Sequence, residues 1–378
     1  MSFALNNNFV LGIYGDGQLA RLLALEARKS GIKIVIYSLD VTNSPCQDVA
    51  DSFIQAKGWN DYEAFQKFTE SIDVLALENE FVPASFLFEA EETGIPCYPN
   101  AKSYDSIDDK LKQVTLAEKL GVQIPKSISL PIADSLTQAQ TPVMLKALRG
   151  GYDGYGNFLF DNLEKSKAAF NFLEKAGPCL AQELIHFDKE VAVMVVRAPG
   201  QAAQAFPVVE TIQENNICHC TLTPARLTEE LLLKVQKNAC HLIEGIDGIG
   251  IFGVEFFIRG NEVIFNEIAP RPHNSGHQSM EACNISQFEA LVLLAAKRPV
   301  PNPSLKIPSA GMLNLLGTHS GPAHFNGQGF RSAPDGFLHL YGKKESRPGR
   351  KMGHYTLLGN NPDAILKELN ELKTRYQI

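Results

Sequence analysis

The chain has no excess of positive charge. In 378 residues, 35 Lys and Arg stand against 42 Asp and Glu, a net of −7. A net acidic protein is a poor partner for a phosphate polymer, so general nucleic-acid binding is excluded. Long apolar runs are missing too. The longest in the C-terminal half is residues 290–296, well under the roughly 20 residues that span a bilayer, so no membrane association is expected. Residues 1–8 hold no basic region leading into an apolar run, so no secretory signal is expected. The seven cysteines, at 46, 97, 179, 218, 220, 240 and 283, are odd in number and scattered. That argues against a disulfide framework and for reduced thiols in a cytoplasmic protein. Cys218-His219-Cys220 is spaced too tightly for zinc and no second ligand pair follows, which leaves a strand with free thiols. There is no internal repeat, no low-complexity tract, and no Gly-Lys-Ser or Gly-Lys-Thr that would mark a Walker loop.

What remains is ordinary globular composition, 44% hydrophobic and 20% charged. The length predicts two or three domains with full cores. Strands over 9–14, 33–37 and 73–77 alternate with helical patterns such as 18–29, which implies a parallel sheet. The proline-containing stretch 95–99 closes this unit, and a polar helix over 106–120 follows. A smaller unit spans 125–190, with strands at 143–147 and 179–184 and a helix at 162–175. From 191 the pattern is strand-rich at 191–197 and 251–268, with a helix at 228–244. Beyond 301 it becomes strand and turn, and a helix over 362–375 ends it.

Five segments carry chemistry. Gly15-Asp-Gly17-Gln18-Leu19-Ala20 joins a strand to a helix, with Asp40 near the end of the next strand. The pattern signals an anion at a helix start: a dinucleotide, another phosphate, or only a tight turn. Lys146-Ala-Leu-Arg149-Gly150-Gly151-Tyr152-Asp153-Gly154-Tyr155-Gly156 places four glycines after a strand carrying a lysine. It reads either as a cradle for polyphosphate or as a turn-rich hairpin. A hairpin turning at Gly260-Asn261, with a three-residue loop centred on Asn261, sets Glu255 opposite Glu267 on a face shared with Gly253, Phe257, Val263 and Phe265. Like charges across a ladder repel. Either the face is solvated or a hard divalent cation, shared with substrate phosphates and Asn266, resolves the conflict. Arg271, His273 and Asn274 follow in a proline-stiffened stretch, an anion-handling loop or a structural one. Lastly, residues 341–354 carry Lys343, Lys344, Arg347, Arg350 and Lys351. Bent by glycines and proline, this tail suits a small phosphate better than a polymer, unless it is merely a solvated face.

Taken with Glu78-Asn-Glu80-Phe-Val-Pro83, Asn266-Glu-Ile-Ala-Pro-Arg-Pro-His-Asn-Ser-Gly-His277 and Arg347-Pro-Gly-Arg-Lys-Met-Gly-His354, these stretches resemble the ATP-grasp superfamily. Within it they resemble the N5-carboxyaminoimidazole ribonucleotide synthase family of purine biosynthesis. The resemblance implies an α/β and α+β chain with a three-domain ATP-grasp fold. Residues 1–100 would form a Rossmann-like domain, 101–124 a helical linker, 125–190 a small lid domain, and 191–378 the C-terminal ATP-grasp domain. It implies a cytoplasmic homodimer that binds small molecules: ATP, bicarbonate and 5-aminoimidazole ribonucleotide. ATP would be held by Lys110, Lys146, Gly151, Tyr152, Asp153, Gly154, Tyr155, Gly156, Asn157, Gln182, Glu183, Leu184, Ile185, Glu190, Gln213, Asn266 and Glu267. Glu255 and Glu267 would carry Mg2+. The ribonucleotide would meet Gly17, Gln18, Leu19, Glu78, Tyr152, Arg271 and His273, with its phosphate on Lys343, Arg350 and Lys351. Arg271, His273 and Asn274 would orient bicarbonate, and Asp153 would handle the amine proton.

The chain departs from the family pattern at four places: Tyr155 for a loop Arg or Lys, Gln182 for a hinge Glu, Gln213 for a His, and Ala20 for a Gly. Three other readings stand beside the carboxylase. They are another ATP-grasp carboxylate–amine ligase, a catalytically weakened nucleotide-binding protein, and an NAD-dependent oxidoreductase. The last leaves Glu255, Glu267 and the second glycine loop without a use.

Overall fold

The computed structural model describes residues 9–150, 156–214, 216–332 and 334–378. Among them, the N-terminal region forms a parallel five-stranded sheet in the order Ser52–Gln55, Lys33–Ser38, Val10–Tyr14, Val74–Leu77, Cys97–Tyr98. The chain steps outward one way from Val10–Tyr14 and then the other way from Val74–Leu77. The crevice past the carboxyl ends of these two strands is therefore a topological switch point, where open α/β sheets bind ligands. Gly15–Gly17 follows one strand and Glu78–Glu80 the other. Ser52–Gln55 and the helices Tyr62–Thr69 and Ala84–Glu92 went unread in the sequence. Their markers were the Asp61 cap, which accepts from Ala64 N, and Pro83 just before the second helix.

The helix Gln18–Lys29 buries Leu19, Ala20, Leu22, Leu23, Ala24 and Ala27 along one face. That face packs against the helix Gln287–Ala295, through Phe288, Leu291 and Leu294, in one shared core. The N-terminal sheet is thereby fixed to the C-terminal region by apolar contact. The expected helix over 106–120 is two helices, Ala101–Asp105 and Lys110–Lys119. Asp109 accepts from Lys112 N at 2.8 Å and caps the second, which sets where Lys110 begins.

A four-stranded antiparallel sheet follows, ordered Ser127–Leu130, Cys179–Glu183, Val143–Ala147, Asn157–Phe160. The helix Ser166–Ala176 covers it around Leu145, Phe160, Leu173 and Ala181. The remainder is one large antiparallel sheet running from Glu262–Ala269 and Gly250–Arg259 through Lys189–Arg197 to Lys351–Gly359 and Gly336–Leu340. Helix Glu229–Gly245 covers one end and helix Pro362–Leu372 the other. No helix among the described residues is long and apolar enough to cross a membrane. The seven cysteines are all free, and Ile217–Thr223, which holds Cys218 and Cys220, is a strand.

Candidate active site

Glu255 does lie opposite Glu267, but the expected hairpin geometry was wrong. Arg259 pairs with Glu262, so the loop has two residues, Gly260 at φ +55 and Asn261, and not three. That register alone would place Glu255 opposite Asn266. A β-bulge between Glu255 and Phe256 shifts the pairing, leaving Asn266 as the extra residue. A bulge lets two consecutive side chains serve one face. Asn266 and Glu267 both line the cleft, while Val263 and Phe265, expected on that face, are buried in the opposite core with Val254 and Phe256.

These groups form an alternating polar chain. Lys110 pairs with Glu267. Lys146 Nζ donates to Asn266 Oδ1 at 2.8 Å, and Asn266 Nδ2 donates to Glu255 Oε2 at 3.2 Å. His273 Nε2 lies 3.6 Å from Glu255, and Gln213 Nε2 donates to Glu190 Oε1 at 3.1 Å. Burial, then the charges of Glu267 and Glu190, push the Glu255 carboxyl well above its ordinary range. Burial pushes Glu267 the same way, but Lys110 and Lys146 outweigh it and hold this carboxyl at about 2. Glu190 is raised to about 7, chiefly by burial. Lys146 is lowered to about 8 by burial and then by Lys110. Three carboxyl groups crowd together in a poorly solvated place, where ionising all of them is costly, and a hard cation would relieve that cost. Among the described residues no group of three or more His, Cys, Asp or Glu side chains forms a metal site. Two carboxylates and an amide oxygen fit a cation that takes its other ligands from phosphate and water.

Beside this chain lies a cavity of about 290 Å³. Its polar wall includes Lys146, Asn157, Glu190, Gln213, Glu255, Asn266 and Glu267. Gln182, Glu183, Leu184 and Ile185 also line it, and Phe257, placed on the carboxylate face from the sequence, joins Met144 and Phe187, which were not singled out, in an apolar slot. Phe187 and Phe257 stack at 4.7 Å. Parity placed Phe257 correctly, two residues from Glu255 on the same strand face, whereas Met144 and Phe187 come from other segments and carry no such mark. Gln182 Nε2 is bonded to Ser127 Oγ at 3.1 Å across the small sheet.

A second cavity, of about 270 Å³, is lined by Gln18, Leu19, Glu78, Glu80, Lys110, Arg271 and Lys351. Gly15, whose φ of +114 favours glycine, and Gly17 both lie hard against Glu78. A Cβ on Gly17 would lie 2.3 Å from Glu78 Oε1, and one on Gly15 2.6 Å from Oε2. Burial raises Glu78 to about 7, with Arg271 opposing and Asp16 adding to the rise. Arg271 pairs with Glu80 at 2.8 Å. Asp40 is consumed locally, accepting from Thr42 Oγ1 and from Asn43.

A third cavity, of about 480 Å³, holds Gly17, Gln18, Lys343, Arg347, Arg350 and Lys351. Arg347, named in the tail but not among the residues expected on the phosphate, joins them here. Lys343 Nζ donates to Lys351 O at 2.7 Å, and an Arg350 N–H donates to Glu345 O at 2.6 Å. These bonds fold the tail into a compact cationic wall. Glu267, His273 and Asn274 line the first two cavities, Gln18 the last two, and Lys351 all three. The cavities are therefore one trough, from the apolar slot past the carboxylate pair to the basic tail. Gly151, Tyr152, Asp153, Gly154 and Tyr155 lie outside the described residues.

The comparisons with known proteins follow the same division. An ATP-grasp domain matches residues 115–288, a ribonucleotide synthetase preATP-grasp domain residues 9–107, and a phosphoribosylaminoimidazole carboxylase C-terminal domain residues 310–368. Fold and site thus define an ATP-dependent ligase of the ATP-grasp class. The N5-carboxyaminoimidazole ribonucleotide synthase of Synechococcus elongatus is 38% identical over 92% of this chain and 89% of its own. The N5-carboxyaminoimidazole synthetase of Staphylococcus aureus, solved with ADP, superposes with a TM-score of 0.86 at 30% identity over 98% of both chains. An Aspergillus clavatus synthase solved with ADP and 5-aminoimidazole ribonucleotide gives 0.84 at 28% identity, over 97% of this chain and 98% of that one. The chain belongs to the N5-carboxyaminoimidazole ribonucleotide synthase family.

Proposed function

We propose that this protein carboxylates the amine of 5-aminoimidazole ribonucleotide, using ATP and bicarbonate, in de novo purine biosynthesis. The observation that carries this reading is the continuous trough. One end is an apolar slot beside buried lysines and carboxylates, and the other is a cationic wall of Lys343, Arg347, Arg350 and Lys351. An ATP-consuming reaction on a phosphorylated acceptor needs both ends and a reaction point between them. Glu267, His273 and Asn274 stand at that point.

In this reading the adenine enters the slot between Met144, Ile185 and Phe187, and Glu190 meets the ribose. Lys110 and Lys146 hold the phosphates as point charges. Glu255, Glu267 and Asn266 would hold Mg2+, which when bound offsets phosphate charge. A bicarbonate oxygen attacks the γ-phosphorus, the bond to ADP breaks, and carboxyphosphate forms. Its C–O bond then breaks to give CO2 and phosphate. The substrate amine attacks CO2, forming the N–C bond and losing a proton. Arg271, His273 and Asn274 orient the bicarbonate and face its developing charge. Asp153 is assigned the amine proton. Glu78 faces the ribonucleotide above the first glycine loop, and Lys343, Arg350 and Lys351 bind its phosphate. Exclusion of water protects the intermediate.

The same reading divides the chain at about 100, 124 and 190 and has it act as a cytoplasmic homodimer. ADP release measured with and without aminoimidazole ribonucleotide and bicarbonate tests it. Release that needs neither would end the assignment.

A further inference from the structure

The segment carrying His273 and Asn274 is gripped by two buried amides from outside it. We infer that Gln287 and Asn314 are positioning residues of the reaction, Gln287 acting through His273 and Asn314 through Asn274. The proposal rests on the roles given to those two groups above.

Gln287 is fully buried at the start of the helix Gln287–Ala295. Its Oε1 accepts from His273 N at 2.8 Å, and its Nε2 donates to His273 O at 2.8 Å. Backbone groups have only one role each, so these two bonds fix which way the amide points. Nε2 also lies 3.0 Å from His277 Nδ1, which must therefore accept and keep its ring proton on Nε2. One side chain thus closes both polar groups of His273's backbone. The His273 ring is left to point at Glu255, with Ser275 Oγ 2.8 Å from its Nδ1. Ser279 completes the anchor, its Oγ accepting from Gln287 N at 3.0 Å and donating to Gly276 O at 2.6 Å.

Asn314 is fully buried on the strand Ser309–Leu316. Its Nδ2 donates to Cys218 O at 2.9 Å and to Asn274 Oδ1 at 2.7 Å, and its Oδ1 accepts from Asn274 Nδ2 at 2.9 Å. The Cys218 carbonyl fixes the orientation of this pair. Asn274 keeps one N–H for the cleft.

The two grips come from different parts of the molecule. The helix bearing Gln287 packs on Gln18–Lys29, which begins at the first glycine loop. Asn314 belongs to the large sheet beyond the nucleotide slot. Together they hold the reaction point between the two substrate ends. An amide suits this place because each grip needs a donor and an acceptor on one planar group.

A double-mutant cycle on the full-length enzyme tests this, read as bicarbonate- and ribonucleotide-dependent ADP release. Gln287→Met keeps length and removes the amide. It should lower kcat/KM for bicarbonate about 100-fold, the scale of a small misplacement at a reacting centre, with KM for ATP unchanged. In a His273→Ala background the same change should cost less than about twofold more, because the group it positions is gone. Gln287→Glu keeps the acceptor for His273 N but, as a carboxylate, loses both bonds that Nε2 donates. It should fall between, and it serves for the cycle if Gln287→Met does not fold. Asn314→Leu should behave alike against Asn274→Ala. Equal losses in both backgrounds would mean that the amides only stabilise the fold, and would overturn the proposal. An unimpaired His273→Ala enzyme would instead remove the role of His273, and the proposal with it.

Discussion

Replacing Glu78 by Gln should make the protein more stable and less active. Glu78 sits against Gly15 and Gly17 with Asp16 nearby, and its carboxyl is raised from 4.5 to about 7, chiefly by burial. At about 1.4 kcal/mol for each tenfold change in proton affinity, the rise is worth about 3 kcal/mol. Glu78 is only partly buried, so about 2 kcal/mol is the usable figure. The sign follows from linkage. A group titrating higher in the folded than in the unfolded chain contributes stability that is fully present below 4.5 and lost as pH rises through about 7. Gln cannot ionise and so escapes that loss. Thermal melts without substrates, run from pH 4 to 8.5, should show near-equal Tm values at the acid end. The variant should gain progressively and lead by about 2–5 °C at pH 8. Its kcat/KM for the ribonucleotide should fall at least about tenfold, since a charged hydrogen-bond acceptor has become neutral. A Tm difference that is constant across pH, or a variant less stable at pH 8, would refute the reasoning.

Glu267→Gln removes the counter-charge of Lys110 and one of the two facing carboxylates. ATP-dependent turnover should fall by at least about 100-fold while the circular dichroism spectrum stays native, a loss on the scale of one strong electrostatic contact at a reacting phosphate. Arg350→Ala should raise KM for the ribonucleotide by about tenfold or more, for loss of one charge-assisted phosphate contact, and leave KM for ATP unchanged. Gly17→Ala would put a Cβ 2.3 Å from Glu78 Oε1 and force that carboxylate aside. Steady-state kinetics should then show a higher KM for the ribonucleotide with ATP saturation unaltered.

Most of the trough was legible because its residues come in dense, unusual clusters. Two glycines flanking one aspartate, two glutamates twelve residues apart across a turn, and five cations in an acidic chain each stand out from globular background. The hairpin shows the limit of such reading. Glu255 was paired with Glu267 through a three-residue loop, whereas a two-residue turn and a bulge produce the same pair. A bulge has no reliable mark in a single sequence. Its consequence, Asn266 and Glu267 sharing a face, breaks the alternation on which strand reading depends. Gln287 and Asn314 were missed for another reason. Each sits in a largely apolar element, and what it grips is 14 and 40 residues away.

The net charge of −7 and the cationic trough are one problem of placement. Lys146, lowered to about 8, and Glu78, raised to about 7, sit where burial penalises their charged forms. Neither position is one that folding alone favours. Lys146 finds its direct partner in Asn266, a neutral amide. Polar groups held against their own solvation stabilise a charge that arrives later, because little reorganisation is needed when it does. The trough therefore favours anions at its lysines and cations at its carboxylates, with His273 and Asn274 fixed between them by bonds to buried amides. Under the proposed roles, preference for a phosphorylated acceptor would come from the basic tail at the far end of the trough. An acceptor without its phosphate would still reach Glu78 and Arg271 but leave Arg350 unmatched, and it should react with a raised KM.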